Sequence, residues 1–303
     1  ATGAALATAR CGTPNNPAPG PEVNTNSIKD VTLRFIGTGV AQINDIRDKA
    51  QEDLGFKIEL KALSTEENNQ IAITQPGQYD MFDGEYFSLP LVIPSGNLQA
   101  IDVKRIKSFD KIASFFTTGD FNGLPVETAQ GTAPIKVMYL SDLNSSEFSA
   151  TPTDWATLIP FQYNADTLGY RPDLVDKEIT SWADLFDPAF NGKTSILDIP
   201  SIGIMDAALV VEAAGLMTFG DKGNMTREEI DQITEILIEK KREGQFRAFW
   251  KTFDESVNLM SSGEVVLQSM WSPAVTAVKA QGIECVYAPL KEGYRAWGGG
   301  IGM

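Results

Sequence analysis

The segment VTLRFIGTGVAQINDIRDKAQEDLGFKIELKAL, residues 31–63, changes its periodicity twice, and the architecture follows from those two changes. Residues 31–37 form a β-branched and aromatic run ending in Gly37-Thr38-Gly39. The next stretch repeats apolar residues at helical spacing with Gly55 as its C-cap, and FKIELKAL returns to strand character. Strand, helix, strand in that order requires a right-handed crossover onto a parallel sheet, so an α/β fold is expected.

Outward from this unit the pattern continues. YDMFDGEYF (79–87) reads as a third strand running into a loop, GTAPIKVMYL (131–140) as another strand, and SDLNSSEFSATPTDWAT (141–157) as a polar connection. LIPFQYNADTLGYRPDLV (158–175) reads as a strand carrying the chain from one lobe to a second; Pro160 suits a crossing point better than a sheet interior. In TSWADLFDPAFNGKTSIL (180–197), Thr180 or Ser181 caps a short helix with Asp184 placed for a capping box, Asp187-Pro188 stops it, and KTSIL is a strand. The loop DIPSIG (198–203) then leads into a largely apolar helix at 204–215. TREEIDQITEILIEKKREG (226–244) is amphipathic, with acids early and bases late as the helix dipole favours. Helix, strand and helix follow over 256–282, then a strand in IECVYAPLKEG and the closing AWGGGIGM.

Composition narrows the function classes. The chain has 303 residues, 43% hydrophobic and 21% charged, enough for a sizeable core. Its net charge of −15, from 40 acidic and 25 basic residues, is the wrong sign for a nucleic-acid or anionic-membrane surface. No apolar run reaches the roughly 18–20 residues of a membrane span. Histidine is absent, which removes Ser-His-Asp and Cys-His nucleophilic systems and the usual zinc sites. Of the two cysteines, Cys285 in GIECVYAPL is expected to be a small buried hydrophobe, unpaired with Cys11. Residues 1–28 look like the end of an export signal joined to a linker. Cys11 sits where a lipid-modified cysteine would follow such a signal, but Arg10 is foreign to that position, so an exported chain without a lipid anchor is expected.

The phrases LIPFQYNADTLGY, SWADLFDPAFNGK, SGEVVLQSMW and YAPLKEGYRAWGG, in this order, resemble the extracytoplasmic solute-binding proteins of ABC importers, in particular the spermidine/putrescine-binding group. The resemblance covers about residues 31–303, with SWADLFDPAFNGK its most specific marker. It implies a periplasmic-binding-protein-like fold: two α/β lobes, hinge crossings and an interlobe ligand cleft. Lobe one would be 29–160 plus 295–303, and lobe two 161–294. Open α/β sheets bind ligands beyond the carboxyl ends of their strands, which agrees. Relatives continue past the second crossing with helices that complete lobe one, so a continuation beyond Met303 is expected, since a glycine-rich final strand would otherwise be an unprotected edge.

Carried over position by position, the resemblance makes Trp271 and Trp297 aromatic walls, with Tyr86 or Phe87 a third; core packing is the competing reading for each. The carboxylates that hold polyamine ammonium groups transfer poorly. Two fall on about Pro200 and Gly203, leaving Asp198 nearest, and a third falls on Gly299. What remains is glycine-rich backbone at 37–39 and 298–300, Thr38, Ser201 at a helix start, and Arg295, a set that suits an anionic group on the ligand. Arg295 could equally be a solvated surface residue. Asp83 and Glu85 could replace the missing acids from another loop, or be two exposed loop carboxylates. The expected function is a monomeric periplasmic receptor that needs no cofactor and catalyses nothing. It would deliver a polyamine-like amine, or an amino-acid or betaine-like zwitterion, to a membrane permease. The alternatives are a sensor or scaffold subunit that kept the fold, and a lyase or hydrolase built on Asp83/Glu85 or Asp254/Glu255.

Overall fold

The computed structural model describes residues 25–121, 123–125 and 130–303; most of the expected 1–28 tail, with Cys11, lies outside the described residues. Strand β1 (Thr32–Thr38), helix α1 (Asn44–Leu54) and strand β2 (Lys57–Leu63) form the crossover unit, with β1 and β2 parallel from Thr32 opposite Lys57 to Thr38 opposite Leu63. Helix α1 stops at Gly55, whose φ of 78° is the left-handed conformation that closes helices. Helix α2 (Thr65–Thr74) starts on a reciprocal capping box between Ser64 and Glu67. Strand β3 (Met81–Glu85) runs parallel to β1 and ends with Asp83 and Glu85 two residues apart, on one face of the sheet at its carboxyl end.

One expected strand is absent. GTAPIKVMYL forms a 3-10 turn at Pro134–Lys136 followed only by single bridges, Tyr139 to Ala156 and Leu140 to Phe148. Val137, Met138, Tyr139 and Leu140 are all buried in succession, so the run packs into the core on every side where a paired strand would alternate.

After β4 (Ile159–Tyr170) come β5 (Thr194–Leu197), α3 (Pro200–Ala213), α4 (Arg227–Arg242), β6 (Phe246–Trp250), α5 (Phe253–Ser262), β7 (Leu267–Met270), α6 (Ser272–Ala280), β8 (Val286–Tyr287) and β9 (Arg295–Gly302). In the main sheet these strands are ordered β6-β5-β7-β4-β9-β3-β1-β2, with β8 also on β4. Strand β4 changes partner midway: Asp166 faces Arg295 of β9, and Thr167 faces Met270 of β7. Two α/β halves are therefore joined through β4 and β9, each half with its own core, around Phe82, Leu89, Met138 and Leu158 in the first and Leu168, Trp182, Leu185 and Leu267 in the second. Pro160 stands opposite Gly300 at a register shift, where a missing N–H disturbs the ladder least. The glycine-rich β9 is not the exposed edge that its sequence suggested, because β3 and β4 pair with it on both sides.

Two phrases of the second half, SWADLFDPAFNGK and YAPLKEG, interlock. Ser181 and Asp184 form the expected capping box on a 3-10 turn at Trp182–Phe186. Glu292 of YAPLKEG accepts from Ser181 Oγ at 2.6 Å and from Trp182 N at 3.2 Å, while the buried Trp182 indole donates to the Gly293 carbonyl at 3.0 Å. Cys285 is buried, as its apolar surroundings implied.

Helix α3 begins hard against the end of β5. A Cβ on Gly203 would lie 2.1 Å from the Leu197 carbonyl oxygen, so no side chain fits there without moving the helix. The position therefore cannot carry the acid that the resemblance places near it. Gly203→Ala is expected to destabilise the protein by about 1–3 kcal/mol through overpacking, measured by urea unfolding.

Candidate functional site

A cavity of about 420 Å³ lies between the two halves, a volume in the range of small-molecule sites. The first half contributes Thr38, Gly39, Thr65, Glu85 and Phe87; the second contributes Ile199, Ile202, Lys251, Asp254 and Trp271; the joining strands contribute Asp166, Arg295 and Trp297. Trp271, the residue before α6, stands edge-on against the fully buried Trp250, with ring centroids 4.9 Å apart at 84°. That packing fixes the Trp271 ring while leaving it on the cavity wall. Phe87 packs against the Leu197, Ile199, Ile202 and Trp250 cluster, an apolar contact from one half to the other.

Arg295 is not a solvated surface residue; it is buried at the cavity wall. Its side chain is buried, with Nε 2.6 Å from Asp206 Oδ1 and Nη2 2.9 Å from Asp166 Oδ2. Burial pushes Asp166 up to about 6 against the pull of the Arg295 charge, and the negative charge of Asp206 adds to the rise. Two other parts of the expected anion site make contacts within the protein. Gly299 and Gly300 lie within a strand paired on both sides, and Thr38 directs its N–H and hydroxyl to Asp83 Oδ2 at 3.2 and 3.3 Å. Of that expected set, Thr38, Gly39 and Arg295 stand on the cavity lining.

Asp83 and Glu85 are not exposed loop acids. Asp83 is 1% exposed beneath the cavity floor, where burial pushes it up to about 6 against the two Thr38 hydrogen bonds. Glu85 lines the cavity; its Oε1 accepts from Thr65 Oγ1 at 3.2 Å, and its shielded Oε2 has no partner among the described residues. Burial, with the Asp83 charge next in weight, pushes Glu85 up to about 8.

Other expected site residues fall elsewhere. Tyr86 is 2% exposed in the core of the first half, 5.5 Å from the Phe116 ring, with its hydroxyl 3.4 Å from Met138 Sδ. Strand β3 ends at Glu85 and the chain enters a 3-10 turn at Tyr86–Ser88, which leaves Glu85 and Phe87 on the cavity lining and sends Tyr86 into the core. Asp198 is half exposed and 3.3 Å from Lys251 Nζ, off the cavity lining. Ser201 is also off the lining; its hydroxyl donates across the cleft rim to Glu66 Oε1 at 3.1 Å. Glu255 caps α5 through the Thr252 box while Asp254 faces the cavity, so these adjacent acids do not act as a pair. Asp166, Asp206, Lys251 and Thr65 were not singled out from sequence; only Asp206, an acid in the apolar first half of its helix, carried a local signal.

Residues 45–303 match a family model described as bacterial extracellular solute-binding protein. The spermidine/putrescine-binding periplasmic protein of Escherichia coli is 32% identical over 141 residues, 46% of this chain, and the match spans only 37% of that relative's length. Among solved structures, the spermidine/putrescine ABC transporter substrate-binding protein of Streptococcus pneumoniae superposes with a TM-score of 0.60 at 14% identity, covering 89% of this chain and 72% of the other. A binding protein of A. tumefaciens in complex with agropinic acid superposes with a TM-score of 0.61 at 14% identity, covering 90% and 72%. Both share the fold.

Proposed function

The chain belongs to the bacterial extracellular solute-binding proteins, and from that premise we propose that it captures a small organic amine between its lobes and hands it to an ABC permease. The observation that carries this reading is the charge balance of the cavity. Among the described residues, Glu67, Glu85, Asp166 and Asp254 line it against Lys251 and one guanidinium that two acids already share, and tryptophans stand on the wall. Cationic ammonium groups are what such a lining recognises, by charge and by cation–π contact. The spermidine/putrescine-binding relatives agree in ligand class. Lobe one is taken as 29–160 plus 295–303 and lobe two as 161–294, closing about the β4 and β9 crossings. The receptor is proposed to work outside the cytoplasmic membrane as a monomer, without catalysis and without nucleic acid. No helix among the described residues is long and apolar enough to cross a membrane.

A zwitterion is the second reading. Lys251 lines the cavity on the lobe-two side, so a ligand carboxylate could face it while the ammonium faces Glu85.

Calorimetry against diamines, amino acids and betaines tests both readings, and failure of every probe to bind or to raise the melting temperature removes them. Trp271→Ala is expected to weaken 1,4-diaminobutane binding about 10- to 100-fold, from loss of a desolvated cation–π wall. An unchanged Kd would take Trp271 out of the site.

A further inference from the structure

Glu85 and Asp83 stand two residues apart on one face of β3, with Glu85 on the wall of the cavity and Asp83 behind it. What surrounds them is polar or acidic. Thr38 of β1 donates to Asp83, and Gln162 of β4 reaches it at 3.5 Å. Thr65 of α2 donates to Glu85, and Glu66 of the same helix adds a negative field. Across β9, Gly299 faces Glu85 and brings no side chain. Neither cation on the cavity lining pairs with them: Arg295 is held by Asp166 and Asp206, and Lys251 lies 3.3 Å from Asp198. No Lys or Arg pairs with either acid among the described residues, and one Glu85 oxygen is left without a partner. A buried carboxylate and, two residues on, a half-buried one with a shielded, unpartnered oxygen, with no cation paired to either among the described residues, cannot both carry charge at low cost; holding a proton is the cheaper state of the empty site.

We propose that Glu85 holds a proton in the empty receptor and gives it up to solvent when a solute ammonium takes its place, so that solute capture and proton release are one exchange. The balance is simple. The O–H bond of the Glu85 carboxylic acid breaks, the proton leaves to bulk water or buffer, and the ammonium keeps all its own protons as it pairs with the carboxylate. Burial also raises the proton affinity of Glu85, as the exchange requires. The consequence is selective: a neutral isostere of the solute could bind only without expelling the proton, and acidification would loosen a cationic solute.

This rests on the amine-receptor reading, and the test separates the two. Infrared spectroscopy of the unliganded protein, titrated from pH 5 to 10, is expected to show a protonated carboxyl band that disappears with a midpoint near 8 and is missing in Glu85→Gln. Calorimetry with 1,4-diaminobutane at pH 7, in two buffers of different ionisation enthalpy, is expected to show about one proton released per solute. Affinity should rise roughly tenfold per pH unit up to the midpoint and then level off. Glu85→Gln should abolish the proton release and weaken binding at least tenfold. Absence of the band, or binding without proton release, overturns the exchange while leaving an amine receptor standing. If the band is present and no amine, amino acid or betaine binds, the receptor reading fails and the exchange fails with it.

Discussion

Arg295→Met is expected to lower unfolding stability by about 3–5 kcal/mol, the usual effect of removing one partner from a buried ion pair. The geometry makes this the most damaging single change available at the cleft. Asp166 and Asp206 are 3% and 2% exposed at the side chain, and both lean on the one guanidinium. Without it, two carboxylates would remain out of water with no cation, and Tyr287 and its neighbours offer no positive charge in exchange. A shift of this size corresponds to roughly 6–15 °C in melting temperature. Replacing all three partners, Arg295→Met with Asp166→Asn and Asp206→Leu, should recover most of the loss, because an apolar or neutral set no longer strands a charge. Differential scanning calorimetry of both variants decides it: a single variant within about 1 kcal/mol of the parent would mean the triad is not the clasp described. The triad also ties the second-half helix α3 to both joining strands, so solute affinity should fall even where the single variant stays folded.

That triad shows where sequence reading stops. Arg295 was legible as a cleft-side residue, but its partners lie 129 and 89 positions away, and no local pattern announces a contact at that separation. Local rules succeeded where the determining contact is local. The period changes over 31–63 place β1, α1 and β2, and the Ser181–Asp184 box was readable because capping spans three residues. The cavity lies at the carboxyl end of the first sheet, as strand order alone required. Failures trace to phase and close packing. Which of Tyr86 and Phe87 faces the cavity depends on how β3 ends, and both rings look alike to a pattern. The loss of an acid at Gly203 looked like a change of ligand, whereas the Leu197 carbonyl 2.1 Å from its would-be Cβ excludes any side chain. The glycines of β9 looked like an anion cradle, and they are a strand squeezed between two others.

The second large effect is in the pH dependence of stability. Glu85 is raised to about 8, and Asp83 and Asp166 to about 6, each chiefly by burial. A carboxyl whose folded pKa lies above its unfolded value binds more protons in the folded state between the two values, so its contribution is full below the unfolded pKa and is lost as pH rises through the folded one. For Glu85 that window runs from 4.5 to about 8. Opposing groups act lower: Asp80, held down by its Arg34 hydrogen bonds, and Asp187, held down by Lys177, lose their contributions as pH falls below the ordinary carboxylate range. Stability of the unliganded protein should therefore peak near pH 5 and decline toward pH 8.5. Glu85→Gln removes the largest of the falling contributions, since an amide keeps the shape and never ionises. Its stability relative to the parent should climb with pH, by about 4 kcal/mol between pH 4.5 and 8.5 as an order of magnitude. Urea unfolding at half-unit pH steps measures this directly. A difference between variant and parent that stays flat with pH would show that Glu85 is ionised in the empty protein. A bound amine should flatten the parent's curve in the same window, because it supplies the cation that the buried acids lack.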